Sequence, residues 1–287
     1  MLRVGIFISV FGVMALAELF SPRRELTVSH RLSRWPSNLL LLGLDTLLVR
    51  VVLPAGALGI AALCASRGIG LFNIVSAPSV VAVAVSLLGL DFLIYVQHVL
   101  FHRAPLFFRF HVIHHADVEF DATTGIRFHP VEMILSMAFK GAAIALFGAP
   151  LLAVFLFEVV LNASAVFTHA NWNLGRTDRW LRLFIVTPDM HRIHHSIRSD
   201  EMGSNFGFNL PWWDRIFRTY RQVPAQAHET MTVGVASMRE KTDRLGWMIS
   251  APFRENLSSS SKMPHDGNAW TRFPAKGFED CVGGDCI

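Results

Sequence analysis

Between residues 133 and 167 the chain carries an almost unbroken apolar run in which Lys140 and Glu158 are the only charges. One crossing of a bilayer needs roughly 20 residues, so the run is about twice too long for a single span. It breaks at FGAP, residues 147–150, where glycine and proline punctuate a tight reversal. The pattern predicts a helical hairpin. Lys140 and Glu158 stand nearly equidistant from the turn, so they either neutralise each other at one depth or line a polar cavity, because a lone charge there is costly. Three further apolar stretches, residues 4–19, 38–64 and 76–95, extend the pattern. Composition agrees with a membrane protein: 52% hydrophobic residues, 17% charged residues and a mean hydropathy of +0.40 are too oily for an ordinary soluble domain.

The arginine-rich segment SPRRELTVSHRLSRWP holds Arg23, Arg24, Arg31 and Arg34, whereas residues 64–76 hold Arg67 alone. The positive-inside rule puts the first loop in the cytoplasm. Alternation then brings the segment after residue 95, and everything beyond residue 168, to the same side. A cleaved signal peptide built from Arg3, the first apolar run and Ala15-Leu16-Ala17 is the competing reading, and it would strand the arginine-rich loop outside. The expected fold is therefore all-α: a polytopic bundle of roughly four to five transmembrane helices, including the hairpin, under a cytoplasmic helical cap. Residues 1–75 are expected to be N-terminal transmembrane helices, residues 76–221 a catalytic region, and residues 222–287 a polar region, partly disordered. Within the polar third, LPWWDRIFRTY reads as an interfacial segment. The net charge of +4 is mild and its arginines are scattered among Trp and Phe, which suits an anionic lipid surface better than nucleic acid. Cys64, Cys281 and Cys286 form neither a disulfide framework nor a Cys-x-x-Cys pair.

Histidine carries the chemistry. The chain has 13, and ten fall between positions 98 and 195: His98, His102, His111, His114, His115, His129, His169, His191, His194 and His195. His30, His228 and His265 read as ordinary surface residues. His98 and His102 are spaced i, i+4, while HVIHH and HRIHH each place three histidines at i, i+3 and i+4, so a helix puts each set on one face. Packed neutral imidazoles bury unpaired ring nitrogens, a cost that a metal ion removes by accepting their lone pairs. So much imidazole and so little thiolate suits Fe, Zn or Cu, and eight to ten ligands exceed the four to six positions of one ion, roughly doubling it. Hydrolytic zinc usually keeps three protein ligands, and the chain has no His-Glu-x-x-His, so two redox-active irons fit better.

The order HVLFH, HVIHH, HRIHH resembles the three-box signature of the fatty acid hydroxylase and sterol desaturase superfamily of integral-membrane di-iron oxygenases. LGLDFLIYVQHVLFHR, FHP, THANW, VTPDMHRIHHS and NFGFNLPWWDRIFRTYR resemble its bacterial members, over residues 91–221 and more faintly at APFR. The resemblance implies that His98, His102, His111, His114, His115, His191, His194 and His195 are iron ligands, with His129 and His169 as the ninth and tenth. It implies two Fe ions, O2 as co-substrate, and a bacterial inner-membrane enzyme with its metal site on the cytoplasmic side. Asp91, two turns before His98, is expected to accept a ligand's ring N–H. Asn205, Asn209 and Asp214 brace the third box or form an ordinary turn, and Asp117 and Asp189 read as solvated as readily as functional.

The implied activity is hydroxylation or desaturation of an unactivated C–H bond in a lipid such as a sterol, fatty acyl chain or sphingolipid. Ether-lipid or carotenoid hydroxylation is the alternative of the same chemistry. No flavin, nicotinamide or fused haem-domain fingerprint is present, so a separate ferredoxin or cytochrome is expected to supply electrons. A metal transporter or storage protein is the alternative of another class, although its ligands are expected near mid-bilayer in broken helices rather than at one face.

Overall fold

The computed structural model describes residues 2–25 and 28–254, with no side chains described for residues 28–30. Its elements are helical, and among the described residues extended pairing is confined to isolated bridges such as Ser196 with Val233. Five segments are long and apolar enough to cross a membrane. The first is α1 (Leu2–Phe20). The second segment holds α2 (Val28–Val52) and α3 (Gly56–Arg67), followed by the one-turn α4 (Leu71–Ile74). The third is α5 (Ser79–Arg103), about 37 Å long by helical rise and ample for a hydrocarbon core.

Residues 38–64 thus form no continuous helix. Pro54 has no N–H to donate, and Gly56 takes φ +58, so the helix stops at Val52 and restarts. The long C-terminal run is the hairpin: α7 (Pro130–Phe147) and α8 (Leu151–Thr168), preceded by the short α6 (Pro105–His115). Gly148 closes α7 in the left-handed region, and Pro150 leads into α8. A Cβ on Gly148 would lie 2.9 Å from the Ile69 carbonyl oxygen and 2.7 Å from the Asn73 amide, so the tip is seated against the turn before α4. Small residues let the helices approach: Ala57 and Ala61 of α3 and Ala143 of α7 pack with Leu90 and Ile94 of α5 and Phe157 of α8. Lys140 and Glu158 do meet across the hairpin, Nζ to Oε1 at 3.4 Å, and Arg3 of α1 joins Glu158.

At the other end of the bundle a cap is built from α6, α9 (Asp178–Leu181), α10 (Pro188–His194), α11 (Ser199–Met202), α12 (Trp212–Ile216), α13 (Leu245–Ser250) and their connections. Arg23, Arg31 and Arg34 of the arginine-rich segment turn toward carboxylates of the protein rather than toward lipid. Arg23 meets Asp189 and Glu229, Arg31 meets Glu18, and Arg34 lies inside α2 against Asp117 and Asp121. Residues 222–254 are packed on the cap, where Met231 and Val233 are buried with Phe120. The disorder expected farther on, with Cys281, Cys286 and His265, lies outside the described residues.

Candidate metal centre

Three turns of chain bring the histidines together. α5 ends at Arg103, and Pro105 starts α6 at once, so the face carrying His98 and His102 meets the face carrying His111, His114 and His115. Thr187 caps α10, accepting from the Met190 N–H, with Pro188 in the first turn; this sets His191, His194 and His195 against the same space. His169 arrives as the C-terminal cap of α8. Nine buried imidazoles result, in two groups: His98, His102, His111, His115 and His194, and then His114, His169, His191 and His195. Within each group the ligand atoms lie within 4.8 Å of one another. The groups adjoin, with the His115 and His195 rings stacked at 4.3 Å.

The Nδ1–H of five rings is tied to an acceptor. His98 donates to the Phe206 carbonyl and His194 to the Ser204 carbonyl, both at 2.8 Å. His111 donates to Glu132 Oε1 at 2.7 Å, His114 to the Arg127 carbonyl at 3.2 Å, and His169 to the Ala165 carbonyl at 2.7 Å. Each bond fixes the tautomer and leaves Nε2 as a lone pair aimed inward. Two of those lone pairs face each other: His114 Nε2 and His169 Nε2 are 3.1 Å apart, and His195 Nε2 is 3.3 Å from the latter. With Nδ1 holding the proton, nothing bridges them but a cation. Nε2 of His98, His111 and His194, and both ring nitrogens of His102, His115 and His191, are buried without any partner. Each such atom costs about 1–3 kcal/mol unless something accepts its lone pair. Burial, which comes first, lowers His111 and His169 to about 3, and burial plus neighbouring rings hold His114, His115, His191 and His195 well below the ordinary value. Neutral, inward-facing and orphaned, the donor set fits two transition-metal ions.

His129 is not brought into either group. Its Nδ1 accepts from the Val131 N–H, capping α7, so Nε2 carries the proton and faces the Ile249 carbonyl at 3.2 Å. No lone pair remains, and the tenth ligand expected there is corrected to a helix cap. Among the described residues Asp91 reaches no imidazole. Its oxygens accept from Asn209 Nδ2 and Trp213 Nε1, both at 2.7 Å, and so hold the loop that supplies the Phe206 carbonyl to His98. The same loop is fixed from within. Asp214 accepts from the N–H of Phe206 at 2.8 Å and of Gly207 at 2.7 Å, while Asn205, at φ +53, donates to the Met190 carbonyl. Burial leads in raising Asp214 to about 6. Asp117 is fully enclosed: Arg34 grips it at 2.6 Å through two nitrogens, and despite burial the charges of Arg34 and Arg127 lower it to about 2.

Glu132 is the acceptor that sequence reasoning missed. It stands three residues beyond His129 in FHPVE, in the first turn of a helix, with no spacing that ties it to His111, 21 residues earlier. His228 is not the surface residue that its sequence surroundings suggest. It is buried near Asp189, and burial leads in lowering it to about 4.

Beside the rings lies a cavity of about 160 Å3, lined by His98, His111 and His191 and by apolar Ile94, Phe101 and Met133. A volume of about 150 Å3 takes a benzene-sized group, so the cavity suits the reacting part of a substrate and leaves its remainder among the helices.

Comparison with known proteins agrees with this geometry. Residues 83–219, which hold all nine clustered histidines, match the family model for fatty acid hydroxylase. The chain is 31% identical to an ornithine lipid hydroxylase of Rhizobium tropici over 51% of this chain and 44% of that protein. It is also 31% identical to the human alkylglycerol monooxygenase over 46% of this chain and 29% of that protein. The match therefore spans less than half the length of these curated relatives. No solved structure matches.

Proposed function

We propose that this chain, whose residues 83–219 match the family model for fatty acid hydroxylase, is a membrane-bound, O2-dependent lipid hydroxylase. The observation that carries the reading is the pair of imidazole groups with orphaned inward nitrogens beside a largely apolar cavity. His98, His102, His111, His115 and His194 would hold one iron, and His114, His169, His191 and His195 the other. When bound, two irons supply the reduction of O2 and the oxidising power to break an unactivated C–H bond. The net change is R–H plus O2, two electrons and two protons giving R–OH and water. A separate ferredoxin or cytochrome supplies the electrons.

The residues of the chain do the rest. Phe206, Ser204, Arg127 and Ala165 carbonyls and the Glu132 carboxylate fix the orientation of the rings, so that their lone pairs would be already aimed at a bound metal. Ile94, Phe101 and Met133 place a methylene beside the rings and exclude water from it. The rings sit where α5 ends and α7 begins, level with the arginine-rich segment, which by the positive-inside rule supports a site at the cytoplasmic face of a bacterial inner membrane. Relatives named for ornithine lipid and alkylglycerol support a polar-lipid substrate, with ether-lipid hydroxylation included in the reading.

The test is purification with metal assay and lipid mass spectrometry. Iron at about two per chain, the number two imidazole groups can hold, and an added oxygen atom in host lipid that depends on that iron are expected. Iron-free protein with full oxidising activity would overturn the proposal.

A further inference from the structure

Three acceptors with nothing to accept belong to residues that line the cavity beside the rings. Asp45 of α2, Gln97 of α5 and Glu132 of α7 all line it and are each at least nine-tenths buried. Oδ1 of Asp45, Oε1 of Gln97 and Oε2 of Glu132 are buried without a partner. For Gln97 and Glu132 the other atom explains why these are left over. Gln97 Nε2 donates to Ser136 Oγ at 3.0 Å, which turns Oε1 away, and Glu132 Oε1 is spent on His111. Asp45 and Glu132 are close enough to interact electrostatically. The cation that shares the cavity is committed elsewhere: Lys140 is paired with Glu158. Two carboxyls and an amide oxygen therefore border the cavity without a bond to any of the donors that share it, Ser136, Asn162 and Lys140, and each unmade bond costs about 1–3 kcal/mol until a ligand supplies the donor.

We propose that this cavity binds the protonated primary amine of an amphiphilic substrate, held by Asp45, Glu132 and Gln97 next to the imidazole groups. An ammonium brings three N–H donors and one positive charge, which matches three orphaned acceptors, two of them carboxyls. A hydroxyl brings a single donor and no charge, leaving most of the mismatch in place. The inference rests on the lipid-hydroxylase reading and narrows its substrate to a lipid whose reacting carbon lies a few bonds from an amine, in the head-group region rather than far along an acyl chain.

The experiment uses the full chain, iron-loaded, in detergent micelles. Three single-chain probes of equal length are titrated anaerobically: an alkylamine, its N-acetyl derivative and the corresponding alcohol. Each is then incubated with O2 and a reductant and examined for an added oxygen atom. The amine is expected to bind about tenfold or more tightly than either neutral probe, the scale of one charge-assisted contact. Asp45→Asn is expected to lose most of that preference while keeping iron content and affinity for the alcohol. Gln97→Leu should lose a smaller part, and it serves as the readout if the Asp45 variant does not fold. Equal binding of the three probes, or an unchanged preference in both variants, overturns the proposal. Selective amine binding without oxidation of any probe keeps the amine site and removes the hydroxylase reading. Oxidation without amine preference does the reverse.

Discussion

At the scale of single residues, Glu132 and His129 exchange the roles their surroundings suggest. Glu132→Gln keeps the size of the side chain, but an amide can turn its NH2 toward His111 and no longer fixes the tautomer. Loss of such a supporting carboxylate typically weakens metal binding about 10–100-fold, which a chelator competition reads as faster loss of one iron. His129→Ala is expected to keep its iron and lose the cap on α7 and the bond to the Ile249 carbonyl, about 1–2 kcal/mol together in a melt. His228 makes the pH prediction. Its value falls from 6.5 to about 4 on burial, so its contribution to stability is complete above the unfolded value and disappears as pH drops through that window. Between about pH 7.5 and about pH 5 the loss is about 2 kcal/mol. His228→Gln should flatten the acid side of the melting curve by that amount relative to wild type, and an unchanged slope would remove His228 from the account. The sequence displays eight of the nine clustered rings because helical spacing is a local property, while His169 stands alone and is suggested only by the resemblance at THANW. The sequence hides Glu132, whose partner is met only by folding, and it misleads at His129, because a lone histidine before proline looks alike whether it caps a helix or holds a metal.

Among the elements, local punctuation separates what was legible from what was not. The reversal at FGAP was readable because glycine and proline fall together where an apolar run is already too long for one span. The break between α2 and α3 uses the same chemistry, Pro54 and Gly56, yet it lies in a stretch short enough to pass as one long helix. The cap loop between α11 and α12 was half legible: Asn205, Asn209 and Asp214 were candidates to brace the third box, but their actual task is to hold the peptide units whose carbonyls turn His98 and His194. Gly148 tests the hairpin. At φ +58, with Ile69 and Asn73 already in contact with the position a Cβ would take, Gly148→Ala meets both backbone strain and collision. Such substitutions cost about 1–2 kcal/mol from the left-handed conformation alone. The variant should melt earlier in detergent while retaining iron below its transition, because the turn and the rings sit at opposite ends of α7. Loss of iron at temperatures where the hairpin is intact would contradict that separation.

Taken as a whole molecule, the N-terminal helices are wired into the metal end by charge rather than by apolar packing alone. Glu18 of α1 accepts through one oxygen from the N–H of Ala122 at 2.6 Å and of Asn171 at 2.8 Å, and so ties the chain after the second box to the chain after His169. Arg34 of α2 spans Asp117 and Asp121 in the connection that follows α6. Asp117 comes two residues after His115, so this buried pair sets where the second box ends. Breaking such a pair by removing one partner costs about 3–5 kcal/mol, because the remaining charge is left without compensation. Arg34→Met strands two carboxylates, whereas Asp117→Asn leaves Arg34 its bond to Asp121, so the arginine variant should be the more damaging and should lose iron along with stability. In the double variant one stranded charge is gone, and the combined loss should fall short of the sum of the singles by about 1 kcal/mol or more, as for residues in one network. Melting and iron content of the four proteins complete the cycle. Strict additivity would mean that α2 supports the metal end through packing alone, and that the arginines of the N-terminal segment do not hold the ligand cage in place.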